Sequence, residues 1–139
     1  MIAHSDWKHD EVYEGTAENG NTIVFDTDAA HTDGPSPMEA VLMALCCCTS
    51  VDVVGILRKK RQPIAGLRVS AVAEQAPAPP RVFTHIMLTY SVRGTGLSRK
   101  AVEDSILLSK NKYCSVSLML EKALTIEYGI VYPDGETEP

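Results

Sequence analysis

At 139 residues and 45% hydrophobic, the chain is long enough to enclose a core as one domain without staples and too apolar to be disordered along its length. A net charge of -5 argues against nucleic acid as the main partner, and the one basic cluster, Arg58-Lys59-Lys60-Arg61, reads as a solvated helix end. No basic start leads into an apolar signal region, and the longest apolar run, Ala40 to Cys48, is shorter than a bilayer requires. The expectation is a soluble cytoplasmic protein with no membrane partner, whose four cysteines are mostly reduced.

In chain order, residues 1–10 alternate weakly and predict a short strand around Trp7. Val12 to Ala17 and Thr22 to Asp26 predict two further strands, joined through Glu18-Asn19-Gly20-Asn21, whose Asn-Gly pair favours a tight hairpin. Thr27 to Asp33 is a polar loop. From Gly34 to Arg61 the chain predicts a long central helix: Ser36 as cap, Pro37 at the first helical position, and Glu39 where a capping-box partner belongs. Between Met38 and Leu57 nearly every residue is apolar or small, with Asp52 the only full charge after Glu39, so the helix is expected to be buried on all sides. One chain of this size offers little surface to cover such a rod, which predicts a homodimer with the long helices packed near each other.

Ile64 to Gln75 alternates as a half-buried strand, with Leu67, Val69, Ala71 and Ala73 on one face. Ala76 to Pro80 cannot support a ladder and becomes the hairpin connection to Val82 to Arg93. Ser98 caps a second helix running to about Asn111, with Ala101, Val102, Ser105, Ile106 and Leu108 as its apolar stripe. A short third helix starts near Cys114, Leu124 to Tyr132 forms a final strand, and PDGETEP is a frayed acidic tail. The order predicts one α+β domain over 1–139, with amino-terminal strands in 1–33, the central helix in 34–61, and strands, two helices and a last strand in 62–139.

The thiols carry the chemistry. Cys46, Cys47 and Cys48 are consecutive on a helix, so their side chains project about 100° apart and cannot share one site. Cys46 and Cys47 read as small core hydrophobes. Cys114 stands at a helix start two residues after Lys112, where thiolate is favoured, whereas Cys48 in the helix body needs a tertiary partner for activation. No pair has Cys-x-x-Cys spacing, and His4, His9, His31 and His85 are scattered, so no metal site is expected. Glu39 has two readings, the capping box with Ser36 or a carboxylate serving the thiol site; along the helix it lies about 13 Å from Cys48 in rise.

The run Gly34-Pro35-Ser36-Pro37, the helix with Cys48-Thr49 and Asp52-Val53-Val54, its Ile56 to Arg61 ending, and Lys112-Tyr113-Cys114-Ser115-Val116-Ser117 together resemble the osmotically inducible protein C (OsmC) and organic hydroperoxide resistance (Ohr) family over nearly the whole chain. The resemblance implies an OsmC-like fold of antiparallel sheets around long buried central helices, in an intertwined homodimer whose amino-terminal strands join the partner's sheet. It implies that Cys48 is the peroxidatic thiolate attacking an organic hydroperoxide and that Cys114 resolves the sulfenic acid as a disulfide. No bound cofactor is implied; an external dithiol, lipoyl-containing or thioredoxin-type, would reduce the disulfide. The peroxidase branches carry Glu after the second proline and an Arg from an amino-terminal strand. Here Met38 takes the first place, Glu39 follows it, and no Arg precedes Arg58, leaving Lys8, His9 or His31 as stand-ins. The chain is closer to the less characterised G-P-S-P-M-E branch of redox proteins. A second reading makes the dimer a binding module for an apolar small molecule, lipid or fatty acid, with the cysteines as pocket lining.

Overall fold

The structure, a computed structural model, describes residues 1–135 and separates into two compact units, Met1–Leu42 and Met43 onward. In the first unit, β1 (Ala3–His9), β2 (Val12–Ala17) and β3 (Thr22–Asp26) form an antiparallel sheet in that order. Gly20 turns the second hairpin with φ at 93°, a backbone that glycine adopts without penalty. The three strands fall where alternation and the Asn-Gly turn place them.

The loop leaving β3 is organised by Asp26. Its buried carboxylate accepts the Asp28 amide at 3.0 Å and the Asp33 amide at 3.1 Å. Those two backbone donors hold its pKa below the usual carboxylate range. His31, in the left-handed region at φ 47°, sets its Nδ1 2.7 Å from the Asp26 carbonyl. The chain then squeezes past β3 at Gly34, where a Cβ would collide with the Val24 carbonyl oxygen.

Helix α1 (Pro37–Lys59) starts as the sequence predicts. The Ser36 amide donates to Glu39 Oε1 at 2.9 Å, and the Glu39 amide donates to Ser36 Oγ at 3.1 Å, closing both halves of the capping box. The helix crosses from the first unit into the second. Its burial differs from the expectation: Leu45, Thr49, Val53 and Leu57 are sealed, at intervals of four, while Met43 is 54% and Val51 72% exposed. One chain has elements enough to cover one stripe of the helix, not its whole circumference. By length and composition α1 is also apolar enough to cross a membrane, which corrects the estimate from the Ala40 to Cys48 run; the interrupting residues Thr49, Ser50 and Asp52 are too few to break the span.

In the second unit, β4 (Gly66–Gln75) and β5 (Phe83–Arg93) pair antiparallel, and β6 (Thr125–Val131) joins β5 in parallel. That parallel ladder departs from an all-antiparallel arrangement, and the two-helix crossover between β5 and β6 is what permits it. β5 buries Ile86, Leu88, Tyr90 and Val92 in strict alternation, and these share the core with Leu45, Val53, Leu57, Val102 and Ile106.

The crossover contains α2 (Arg99–Leu108), capped by Ser98 accepting the Ala101 amide at 3.2 Å, then a π turn (Ser109–Tyr113), then α3 (Ser115–Leu120). The buried stripe of α2 continues from Ala101, Val102, Ser105 and Ile106 to Ser109, four residues past Ser105, so Leu108 lies at its edge and is 37% exposed. The start of the acidic tail is fixed, with Asp134 accepting from Arg93 Nη1 at 2.9 Å; residues 136–139 lie outside the described residues. The fold is the mixed α+β arrangement of two small sheets and helices that the sequence predicts.

Gly34→Ala forces the Val24 backbone aside, and overpacking of this kind costs about 1–3 kcal/mol. Urea unfolding should show that loss as a lower midpoint; an unchanged midpoint would mean the loop yields freely.

Candidate functional site

Cys48 stands one residue before the buried Thr49 on α1, and Cys114 is the N-cap of α3 with its side chain fully enclosed. Within the second unit the fold places these two thiols close enough for one to influence the other's charge, and neither is in a disulfide. Cys114 Sγ also accepts the Ser117 amide at 3.4 Å. Burial is the main influence on Cys114 and pushes its pKa up; the Ser117 contacts pull it down, and the Cys48 sulfur pushes it up again. The sequence reading of Cys114 as a thiol favoured in its ionised form at a helix start is therefore corrected. One short helix end cannot outweigh the removal of water from around the sulfur. Enclosure thus favours the protonated form of Cys114.

Cys46 is half-buried, with burial raising its pKa, and Cys47 is exposed, so the three consecutive thiols diverge as helix geometry requires. Glu39 is engaged in the capping box, and its hydrogen bonds with Ser36 hold its pKa low. His31 Nε2 is 3.9 Å from Glu39, His85 pairs with Glu127 at 2.6 Å across β5 and β6, and His9 Nδ1 is 3.1 Å from Asp10. Among the described residues no group of three or more His, Cys, Asp and Glu side chains could hold a metal ion.

Beside the thiols runs a buried chain of hydroxyls that sequence reasoning did not single out. Thr49 Oγ1 lies 2.7 Å from Tyr90 Oη and 2.8 Å from Ser109 Oγ, and Ser109 Oγ donates to Asp52 Oδ2 at 2.8 Å. Each hydroxyl has a single proton, so once Ser109 donates to Asp52 it must accept from Thr49, and Thr49 in turn accepts from Tyr90. The chain is thus directed, from Tyr90 outward to Asp52. Thr49 and Asp52 are three residues apart and share a helix face. A polar pair at that spacing inside an apolar helix was the signal available in the sequence; Ser109 had none beyond its place in the stripe.

Tyr90 packs edge-on against Tyr128, ring centres 6.1 Å apart, and Lys110 Nζ sits 5.4 Å from the Tyr128 centroid while donating to the Ile126 carbonyl at 3.1 Å. On the outer side, Asp52 lines a groove of about 490 Å³ with Val51, Gly55, Ile56, Lys59, Leu108 and Tyr113. The arrangement is a pair of neighbouring free thiols, one enclosed and one half-buried, with a directed hydroxyl chain running from the residue that follows Cys48.

Fold and site together define an α+β dithiol domain. The chain belongs to the OsmC-like protein family, whose model it matches over residues 30–129. It is 41% identical over 128 residues to Protein YhfA of Escherichia coli strain K12, covering 92% of this chain and 95% of that protein. Its fold is similar to an OsmC-like protein from Mycoplasma pneumoniae, at TM-score 0.80 and 18% identity over 94% of this chain and 95% of that one. The organic hydroperoxide resistance protein OhrB of Bacillus subtilis has a similar fold too, at TM-score 0.62 and 14% identity over 94% and 98%.

Burial drives the Tyr90 pKa up to about 12 from an ordinary 10. The unfolded chain then releases this proton first. Tyr90 contributes stability that is complete below about pH 10 and is lost as pH climbs through 12, on the order of 3 kcal/mol in all. Alkaline unfolding followed by circular dichroism should be steeper for wild type than for Tyr90→Phe across that interval, and equal slopes would contradict the enclosed phenol.

Proposed function

We propose that this protein is a thiol-dependent peroxidase of organic hydroperoxides, with Cys48 peroxidatic and Cys114 resolving. What carries the reading is the proximity of the two thiols, close enough for Cys48 to shift the titration of Cys114. In the first step the Cys48 thiolate attacks the outer oxygen of a hydroperoxide; the O–O bond breaks, Cys48 becomes a sulfenic acid, and the alkoxide takes up a proton as an alcohol. Cys114 then attacks the Cys48 sulfur, forming the disulfide and releasing water. An external dithiol, lipoyl-bearing or thioredoxin-type, accepts the disulfide's oxidation and restores both thiols. The reaction uses no bound cofactor.

Belonging to the OsmC-like family, together with a fold shared with proteins named for organic hydroperoxide resistance, supports this chemistry. The groove that Asp52 and Lys59 share with Val51, Ile56, Leu108 and Tyr113 favours a bulky hydrophobic hydroperoxide over hydrogen peroxide. The same groove would serve the second reading, a module that binds a lipid or fatty acid, although no cysteine is among its lining residues. Glu39 is assigned to the helix cap rather than to the reaction, because both of its bonds with Ser36 are made.

The working form in this reading is a cytoplasmic homodimer. Apolar side chains left open on α1 outside that groove, Met43 among them, are then covered by a second copy rather than by lipid. Light scattering at micromolar concentration should give twice the chain mass, and a detergent-free monomer would remove this part of the proposal.

For the chemistry, reduced protein treated with cumene hydroperoxide should yield a Cys48 to Cys114 disulfide by mass spectrometry. Cys48→Ser should abolish hydroperoxide consumption, while Cys114→Ser should stop after one turnover and accumulate sulfinic acid at Cys48. Consumption that survives Cys48→Ser excludes the peroxidatic assignment; co-purified lipid with unreactive Cys48 selects the binding module instead.

A further inference from the structure

The π turn immediately before Cys114 is tied at both ends of one residue. The Ser109 carbonyl accepts the Cys114 amide at 2.8 Å, the five-residue hydrogen bond that defines the turn. The Ser109 hydroxyl meanwhile donates to Asp52 and lies against Thr49, both on α1. Thr49 follows Cys48 directly, so whatever fixes the rotation of α1 at Thr49 fixes the direction of the Cys48 side chain about 100° away. Ser109 therefore links, through its backbone, the strand of chain carrying one thiol and, through its side chain, the helix carrying the other. Ser109 and Thr49 are fully buried, while Asp52 keeps part of its surface in water.

We infer that Ser109, anchored by Asp52, is a positioning residue that sets the approach of Cys114 to Cys48 and so the ease with which the two sulfurs join. The inference rests on the thiol-pair chemistry proposed above, but it concerns the closing of the disulfide and not the attack on hydroperoxide. A π turn holds one residue more than an α turn, and without its anchor it can relax and carry Cys114 along the helix axis. Neither Ser109 nor Asp52 touches a sulfur in this scheme; they act through Cys114 and Thr49.

The test separates these layers by using glutathione as the oxidant. Full-length wild type, Asp52→Ala and Asp52→Asn are equilibrated with graded mixtures of reduced and oxidised glutathione, quenched, alkylated and mapped for the Cys48 to Cys114 disulfide. Each disulfide formed consumes one glutathione disulfide and releases two glutathione thiols, so the ratio at half-oxidation gives the effective concentration of one thiol toward the other. Asp52→Ala should lower that concentration about tenfold, the loss of one hydrogen bond to a charged group. Asp52→Asn, which still offers Ser109 an oxygen acceptor, should stay close to wild type. Ser109→Ala, read in the same way, provides an independent cut of the same link should Asp52→Ala fail to fold.

Equal half-oxidation ratios in wild type and Asp52→Ala would overturn the inference, as would a loss in Asp52→Asn as large as in Asp52→Ala. A protein inert to hydroperoxide that nevertheless shows the expected order sinks the peroxidase reading and keeps this one. Hydroperoxide turnover with one shared equilibrium across all variants does the opposite, and a wild type that never forms the disulfide sinks both.

Discussion

A buried hydroxyl is costly unless it is bonded, and this fold places three of them, on Thr49, Tyr90 and Ser109, in one continuous line. The line is tolerable because it ends on Asp52, which can take the last proton's hydrogen bond while keeping part of its surface in water. That constraint reaches three elements at once: α1 supplies Thr49 and Asp52, β5 supplies Tyr90, and the π turn supplies Ser109. Hydrophobic packing alone would let α1 rotate or slide against its neighbours by small amounts. A directed chain of short hydrogen bonds does not, since any slip leaves a donor buried and unpaired. Cys48 stands next to Thr49 on that same fixed helix, and Cys114 directly follows the π turn that Ser109 opens.

The two thiols differ because their surroundings differ, not because of their sequence neighbours. Cys114 is enclosed and keeps its proton, despite the Ser117 contacts that favour the ionised form. Cys48 is half-buried on the body of α1. An asymmetric pair of this kind suits sequential chemistry, in which one sulfur meets a reagent and the other meets only its partner. Enclosure leaves Cys114 with no surface open to solvent.

Much of the fold was legible because its signals are local. Ser36-Pro37 with Glu39, Ser98 before α2, the Asn-Gly turn and the alternation of β4 and β5 each involve residues within a few positions of one another, and each forms as the spacing predicts. The parallel pairing of β6 was available in principle, since the long connection from Gly94 to Leu124 is of the length a crossover needs. What could not be read is whatever depends on three-dimensional enclosure. The helix start at Cys114 is visible in sequence while the burial that overrides it is not. A π turn has no composition of its own, so Ser109 passed as a late residue of α2. The pairing of Cys48 with Cys114 was reached through family resemblance and not through spacing, because sixty-six positions separate them.

The remaining tension lies on α1. Its sealed stripe of Leu45, Thr49, Val53 and Leu57 gives about 1.5–3 kcal/mol for each large aliphatic side chain, yet Met43, Cys47 and Val51 stand open. Asp52 occupies the border between these two faces. Any partner surface laid over the open side would draw Asp52 out of water, and a carboxylate so treated is tolerable only if its hydrogen bond from Ser109 is intact. Covering the helix and ordering the π turn would then reinforce each other: the better Ser109 holds Asp52, the less the cover costs, and the drier the site becomes, the more that one bond is worth. Asp52 is the one full charge on α1 between Glu39 in its first turn and Arg58 in its last, and it stands where the sealed and open faces meet.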